Sequence, residues 1–413
     1  MSGSILRKRS RGFTLVELMV AMTGGLFLSI VVFALSRDAS RFYQRENRIA
    51  NATLAGVSGF ERLAGDVARA GHLATPNINS DPRVCNRPQA SWPEALRSLR
   101  ALVVENATSS AELVEAGIKP KGMVIAGALT TPEVLITNSV AAPNGGAWQI
   151  TLNLATPSAA RLGLNPAITA AADNLRILGS VFTSGGQGRI VRLRDHGMDQ
   201  YAVVASVAAP VGEAVITLAE SPGLVRLASG GVQCGIDNNG GGMALSVVDL
   251  VRYDIRSMLT DPNYKELYKA SGMGTGGGAT ALPYESGRAE LVRVELNPAG
   301  VEIAETREII SEYAVDMRLD AWGATSNVDP TLVAVTADIN QTYASTQLLR
   351  GVHLRLSVRS READRDADIS GTGGTGADLY RIPLGPGKTK PFARVRTYQS
   401  DIALRNLESS NWL

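Results

Sequence analysis

Arg7-Lys8-Arg9-Ser10-Arg11-Gly12-Phe13-Thr14-Leu15-Val16-Glu17-Leu18-Met19-Val20 joins a short basic head to an apolar run that continues through Leu35. Between Phe13 and Leu35, Glu17 is the only charged residue. A helix over this run is roughly 35 Å long, enough to cross a bilayer core of about 30 Å. Arg7, Lys8, Arg9 and Arg11 precede it without an acidic neighbour, which predicts a cytoplasmic N-terminus and an exported remainder. A cleaved secretory signal needs a shorter apolar core with small residues at its far end, and Ser36-Arg37-Asp38-Ala39 does not supply them. A plain anchor leaves Glu17 unexplained, because a carboxylate in hydrocarbon is costly unless neutralised or paired.

Behind the anchor the helical spacing persists. Phe42, Ile49, Leu54, Val57, Phe60, Leu63, Ala64, Val67 and Ala68 recur mostly three and four apart, with Arg37, Asp38, Arg41, Arg45, Glu46, Glu61, Arg62, Asp66 and Arg69 on the other faces. This predicts one helix running to about Ala70 and ending at Gly71. Gly56, Gly59 and Gly65 lower its intrinsic helicity, so packing must hold that half. The expected divisions are a basic leader (1–12), a transmembrane half-helix (13–35), an amphipathic half (36–71) and an exported head (72–413), with a break near 236–246 if the head forms two subdomains.

The head reads as β-rich. A short helix is expected over 93–102. Strand signals follow at 123–129, 133–138, 148–154, 175–183, 188–194, 201–207, 214–219 and 223–227, separated by Gly, Pro, Asn and Ser turns. A second set lies at 245–255, 290–297, 301–308, 315–322, 348–359 and 394–406, with a helical turn at 309–313. Glycine-rich runs at 271–278 and 371–376 read as surface loops, and neither opens a βα unit that would cradle phosphate. Cys85 and Cys234 read most simply as one disulfide in an oxidising compartment, with two buried thiols as the alternative. A net charge of +2 projects no field that favours nucleic acid.

Gly12-Phe13-Thr14-Leu15-Val16-Glu17 resembles the cleavage and methylation motif of type IV prepilins and type II secretion pseudopilins. The resemblance implies that a prepilin peptidase cuts between Gly12 and Phe13, that Phe13 is N-methylated, and that Glu17 compensates an N-terminal amine during filament docking. Further along, Leu63-Ala64-Gly65-Asp66-Val67-Ala68-Arg69-Ala70-Gly71, Val251-Arg252-Tyr253-Asp254-Ile255, Glu266-Leu267-Tyr268-Lys269, Val352-His353-Leu354-Arg355-Leu356-Ser357-Val358-Arg359-Ser360 and Ala403-Leu404-Arg405-Asn406 follow an order similar to the PilW family of type IV pilus minor pilins. That likeness implies an α+β, pilin-like fold: a long N-terminal α-helix packed on a large antiparallel β-rich head. It also implies a subunit of the inner membrane, then of the pilus near its tip, that primes and caps assembly. Its partners would be other minor and major pilins and a PilY-type adhesin. A type II secretion minor pseudopilin shares the motif, and a ligand- or DNA-binding tip module is the rival of another class.

Catalysis is not expected. His72, His196 and His353 are far apart, no His/Cys spacing suits zinc, and no nucleophile elbow is present. Asp364, Asp366 and Asp368 alternate as calcium ligands do, but an EF-hand loop would need Gly and an acid where Ile369 and Thr375 stand. Asp237-Asn238-Asn239-Gly240 lacks further acids. No metal, cofactor or nucleic-acid partner is expected.

Overall fold

The computed structural model describes residues 14–106, 118–227, 234–258, 261–264, 288–324, 332–335, 346–361, 365–368, 381–383 and 389–408. The leader, Gly12, Phe13, residues 266–269, Asp364 and both glycine-rich runs lie outside the described residues. The chain is α+β and divides into two compact units, residues 1–53 and 54–413.

Helix α1 (Leu15–Ala68) begins in the first unit and ends in the second. Its stretch Leu15–Ser40 is long and apolar enough to cross a membrane, and none of it is buried. In the second unit, positions 56, 59, 63, 66, 67 and 70 are buried, a stripe at helical spacing. Gly56 and Gly59 lie in this stripe. A Cβ on Gly59 would come within 2.8 Å of the Ile310 carbonyl oxygen, and one on Gly56 within 2.6 Å of the Tyr398 ring. Two of the three glycines that weaken this half of the helix, Gly56 and Gly59, are thus ones that let the sheets approach it. The helix stops at Ala68, two residues short of the expected end, and Asn406 Nδ2 donates to the Ala68 and Ala70 carbonyls at 3.2 and 3.3 Å. A side chain from the far end of the chain therefore satisfies carbonyls that the helix leaves unpaired.

The strands, in chain order, are β1 (Leu102–Asn106), β2 (Lys121–Gly127), β3 (Leu135–Ala141), β4 (Gln149–Leu152), β5 (Thr183–Ser184), β6 (Gln187–Gly188), β7 (Ile190–Asp195), β8 (Met198–Ala208) and β9 (Val215–Leu218). They continue with β10 (Ala244–Arg256), β11 (Glu290–Leu296), β12 (Glu308–Ser311), β13 (Ala314–Ala324), β14 (Leu332–Val335), β15 (Leu349–Arg359), β16 (Arg365–Asp368), β17 (Arg381–Pro383) and β18 (Thr389–Ala403).

The pairings of the largest sheet centre on β10. Its C-terminal half lies between β2 (Asp249↔Gly127 through Tyr253↔Met123) and β11 (Leu250↔Leu296 through Arg256↔Glu290). Its N-terminal half pairs with β7 (Ala244↔Arg194 through Val248↔Ile190) and, at its start, with β3. From β3 the path β4–β9–β8–β7 returns to β10, so six antiparallel strands close into a barrel. Leu245 and Val247 enter the barrel core with Ile150, Leu178, Phe182, Leu193 and Ile216, whereas Val251, Tyr253 and Ile255 enter the core that includes Leu63 and Val67 of α1. A second sheet, ordered β14-β13-β15-β18-β16 with β17 on β18, contributes Met317, Leu354 and Leu356 to the same core as α1. Between α1 and β1, Ile78, Val84, Trp92, Leu96 and Leu99 form a strap packed against Ile190, Tyr201 and Leu250.

Several expected elements differ. Of the expected strand 175–183, residues 175–182 form the end of a helix, Ala171–Phe182, whose buried Asn174, Leu178, Val181 and Phe182 keep helical spacing, and only Thr183 enters a strand, β5. A short apolar run reads equally as strand or helix until its partners are known. Residues 223–227 make only an isolated bridge, Arg226↔Ile236. The stretch 301–308 contains the 3-10 turn Ala304–Thr306, and 309–313 holds most of strand β12 instead of a helical turn. The helix at 93–102 shrinks to Glu94–Arg97, because Leu102 begins β1. The last strand ends at Ala403 and gives way to the helix Arg405–Glu408. Around 236–246 the chain enters β10, itself a strand of the barrel, inside the compact unit 54–413.

Two substitutions separate propensity from approach. Gly65 is exposed with nothing within 4 Å of its built Cβ, so Gly65→Ala should raise stability by about 0.5–1 kcal/mol. Gly59→Ala, facing backbone, should lower it by about 1–3 kcal/mol. Thermal melting of the two purified variants checks both signs.

Candidate functional site

The first turn of α1 carries the motif's acid. Thr14 N and Thr14 Oγ1 each donate to Glu17 Oε2 at 3.0 Å, and Glu17 N donates back to Thr14 Oγ1 at 3.2 Å. This is a capping box: reciprocal bonds satisfy orphan donors of the helix start, and the carboxylate lies at the positive end of the helix dipole. The charge in the apolar run thus has partners within its own turn. A Ser/Thr three residues before a Glu is the sequence signal for this arrangement, and Thr14-Leu15-Val16-Glu17 contains it. Gly12 and Phe13, the expected cleavage and methylation residues, lie outside the described residues.

At the other end of α1, Asp66 is fully buried, not on an outer face as its charge suggested. It follows Leu63 by three positions and precedes Val67, inside the apolar stripe. Tyr253 Oη of β10 donates to Asp66 Oδ2 at 2.7 Å, Arg293 Nε of β11 donates at 3.2 Å, and Arg69 Nη2 holds the other oxygen. Burial alone would raise the acid's pKa, but the bonds from Tyr253 and Arg293 and the charge of Arg69 outweigh it and hold the carboxylate below the usual range.

The outward face of β10 carries the opposite case. Arg252, Asp254 and Arg256 alternate with the core residues, and Glu302 receives Arg256 at 2.7 Å, Arg307 at 3.1 Å and Arg252 at 3.4 Å. Asp254 is buried, with Arg256 Nε 3.4 Å from its Oδ1. Burial pushes it up to about 6 against the pull of Arg256, and Glu302 and Glu105 add to the rise. Where the barrel meets the rest of the head, Asp249 accepts from Leu129 N (2.8 Å) and Thr130 N (2.6 Å), and Arg189 bridges Asp249 (3.2 Å) and Glu295 (2.8 Å). These ion pairs line a crevice between Ser184, Val248 and Ile303.

Cys85 and Cys234 are joined by a disulfide with Cα atoms 5.4 Å apart. It ties the strap to the segment leading into β10 across 149 positions, a closure that contributes ~5 kcal/mol in the chain-entropy treatment. The three histidines occupy separate elements: His72 follows α1, His196 is in the β7–β8 turn, and His353 is on β15. Among the described residues no group of three or more His, Cys, Asp or Glu could hold a metal ion. Asn239 instead binds its own loop, its side chain accepting from Gly241 N and its carbonyl from Val140 N.

Residues 7–23 match the family described as the prokaryotic N-terminal methylation motif. It is a type IV pilin-like prepilin signal, which implies processing by a prepilin peptidase and pilin partners, and the apolar helix behind it suits single-pass anchoring in the inner membrane. No curated protein and no solved structure matches this chain.

The two acids predict opposite pH responses. Asp66, with its pKa lowered, contributes stability that is present above the unfolded value near 3.8 and is lost as pH falls through the folded one. Asp254, with its pKa raised, favours the fold in acid and loses that contribution as pH rises through about 6. Asp66→Asn should therefore cost about 3 kcal/mol at pH 7. Asp254→Asn should gain about 2 kcal/mol at pH 8 and flatten the profile between pH ~4 and ~6. Urea unfolding of both variants across pH reads the two slopes.

Proposed function

We propose that this chain is a type IV pilus minor pilin of the PilW kind, a non-catalytic subunit that helps prime and cap pilus assembly. The observation that supports it is the methylation motif set on an apolar helix that runs on, without a break, to form the buried stem of a large β head. The apolar residues Leu15, Met19, Phe27, Ile30 and Phe33 are all exposed and need lipid or neighbouring helices to cover them. Before assembly, lipid covers them. In the filament, the helices of other minor and major pilins do.

Cutting after Gly12 makes Phe13 the first residue and places a new amine just before Thr14. Glu17 then exchanges its intramolecular cap for a neighbour's N-terminal amine. Each charge is costly alone among apolar helices, and the pair neutralises both. A PilY-type adhesin is the partner expected at the tip.

Mass spectrometry of the mature chain should show loss of residues 1–12 and one methyl group on Phe13. In a strain lacking this chain, Glu17→Ala should reach the inner membrane and be processed, yet leave surface pili sharply reduced in sheared fractions. Full piliation by that variant would rule out the pairing. Restoration of protein secretion instead of pili would assign the subunit to a secretion filament.

A further inference from the structure

The second sheet has two unlike faces. Met317, Leu319, Leu354 and Leu356 point into the core shared with α1. On the opposite face, cross-strand partners of β13, β15 and β18 stand in rows: Trp322–Gly351–Ala403, then Asp320–His353–Asp401, then Arg318–Arg355–Gln399. Trp322 lies flat on the sheet, since a Cβ on Gly351 would come within 2.1 Å of its ring. Trp322 itself is partly exposed.

Covering a strand glycine is reason enough for an aromatic ring at this position. It does not explain the row beside it. Asp320, Asp401, Gln399 and Ala403 are all exposed, and the Asp401 side chain is 73% open. His353 Nδ1 lies 2.8 Å from Asp401 Oδ1, which fixes the imidazole and leaves Nε2 to another partner. Asp320 makes no ion pair among the described residues. The nearby arginines are directed elsewhere: Arg318 Nε donates to Asp316 at 2.8 Å, and Arg355 Nη2 is 3.9 Å from the same acid. Next to the ring, the charge is acidic.

We propose that this face binds a neutral pyranose-containing oligosaccharide. Trp322 stacks on the C–H face of one ring, and Asp320, His353 and Asp401 bond its hydroxyls or those of the next. Neighbouring strands are about 4.8 Å apart and alternate residues of one strand about 7 Å, so the polar row spans roughly 10 Å beside the indole. That is the footprint of one to two sugar rings. A sugar combines an apolar face with a dense fringe of hydroxyl donors, and a carboxylate accepts two of them at once. The acids disfavour phosphorylated or sialylated chains. A flat, open platform gives weak binding, so the affinity falls in the millimolar range.

This inference is independent of pilus assembly, and its test does not use it. The full chain is held in a detergent without a sugar headgroup and titrated with lactose, cellobiose, chitotriose and sialyllactose, using saturation-transfer NMR. At least one neutral sugar should bind with a Kd on the order of 1–10 mM, and sialyllactose more weakly than lactose. Trp322→Ala should lower affinity at least about tenfold. Because Trp322 also packs on Gly351, the double variant Asp320→Ala/Asp401→Ala, at exposed positions, must show a comparable loss with an unchanged circular dichroism spectrum. No binding by any neutral sugar at ~50 mM overturns the proposal, as does unchanged affinity in the double variant or tighter binding of sialyllactose.

Discussion

The head is organised around one buried charge. Asp66 sits in the middle of the apolar stripe of α1, where an unpaired carboxylate would be prohibitively costly. The helix can therefore seat against the sheets only where Tyr253 and Arg293 meet that acid. Apolar contacts alone would tolerate sliding by a turn, and the carboxylate does not. Once it is fixed, the rest of the stem follows. Gly59 comes to lie over the Ile310 carbonyl, Gly56 under Tyr398, and the last carbonyls of the helix within reach of Asn406. The polar contact supplies register where the hydrophobic ones supply cohesion.

Local patterns carried much of this into the sequence. The long helix was legible because its apolar spacing holds over many turns and no proline interrupts it. The β character of the head was legible from short apolar runs between turn residues, and β10, β13 and β15 fall close to the expected 245–255, 315–322 and 348–359. The helix at Ala171–Phe182 was not, since a run such as Leu175-Arg176-Ile177-Leu178 satisfies either period. The barrel was also hidden. Its closure rests on β10 meeting β7 and β3, pairings between segments far apart in the chain that no local signal encodes.

At the candidate site the legible and illegible parts divide by range. Glu17 stands out as a charge in an apolar run, and its Thr14 cap lies within the same helical turn, where the sequence spacing carries it. Asp66 looked like a solvated residue because its partners lie 187 and 227 positions away. The platform on the second sheet is a long-range assembly too: Trp322, His353 and Asp401 become neighbours only through strand register.

Strand β10 joins the two cores of the head through one hairpin-like pairing. Gly127 and Asp249 are direct cross-strand partners, so β2 and β10 alone form an antiparallel hairpin. Everything from residue 128 to residue 248, the barrel included, stands where a hairpin needs only a turn. The chain enters and leaves that excursion at neighbouring points, and the sheet under α1 would close in the same way around a few residues. The strap and the Cys85–Cys234 disulfide then tie that excursion back to the segment before β1. A one-residue slip within β10 would turn out of both cores at once the side chains that fill them.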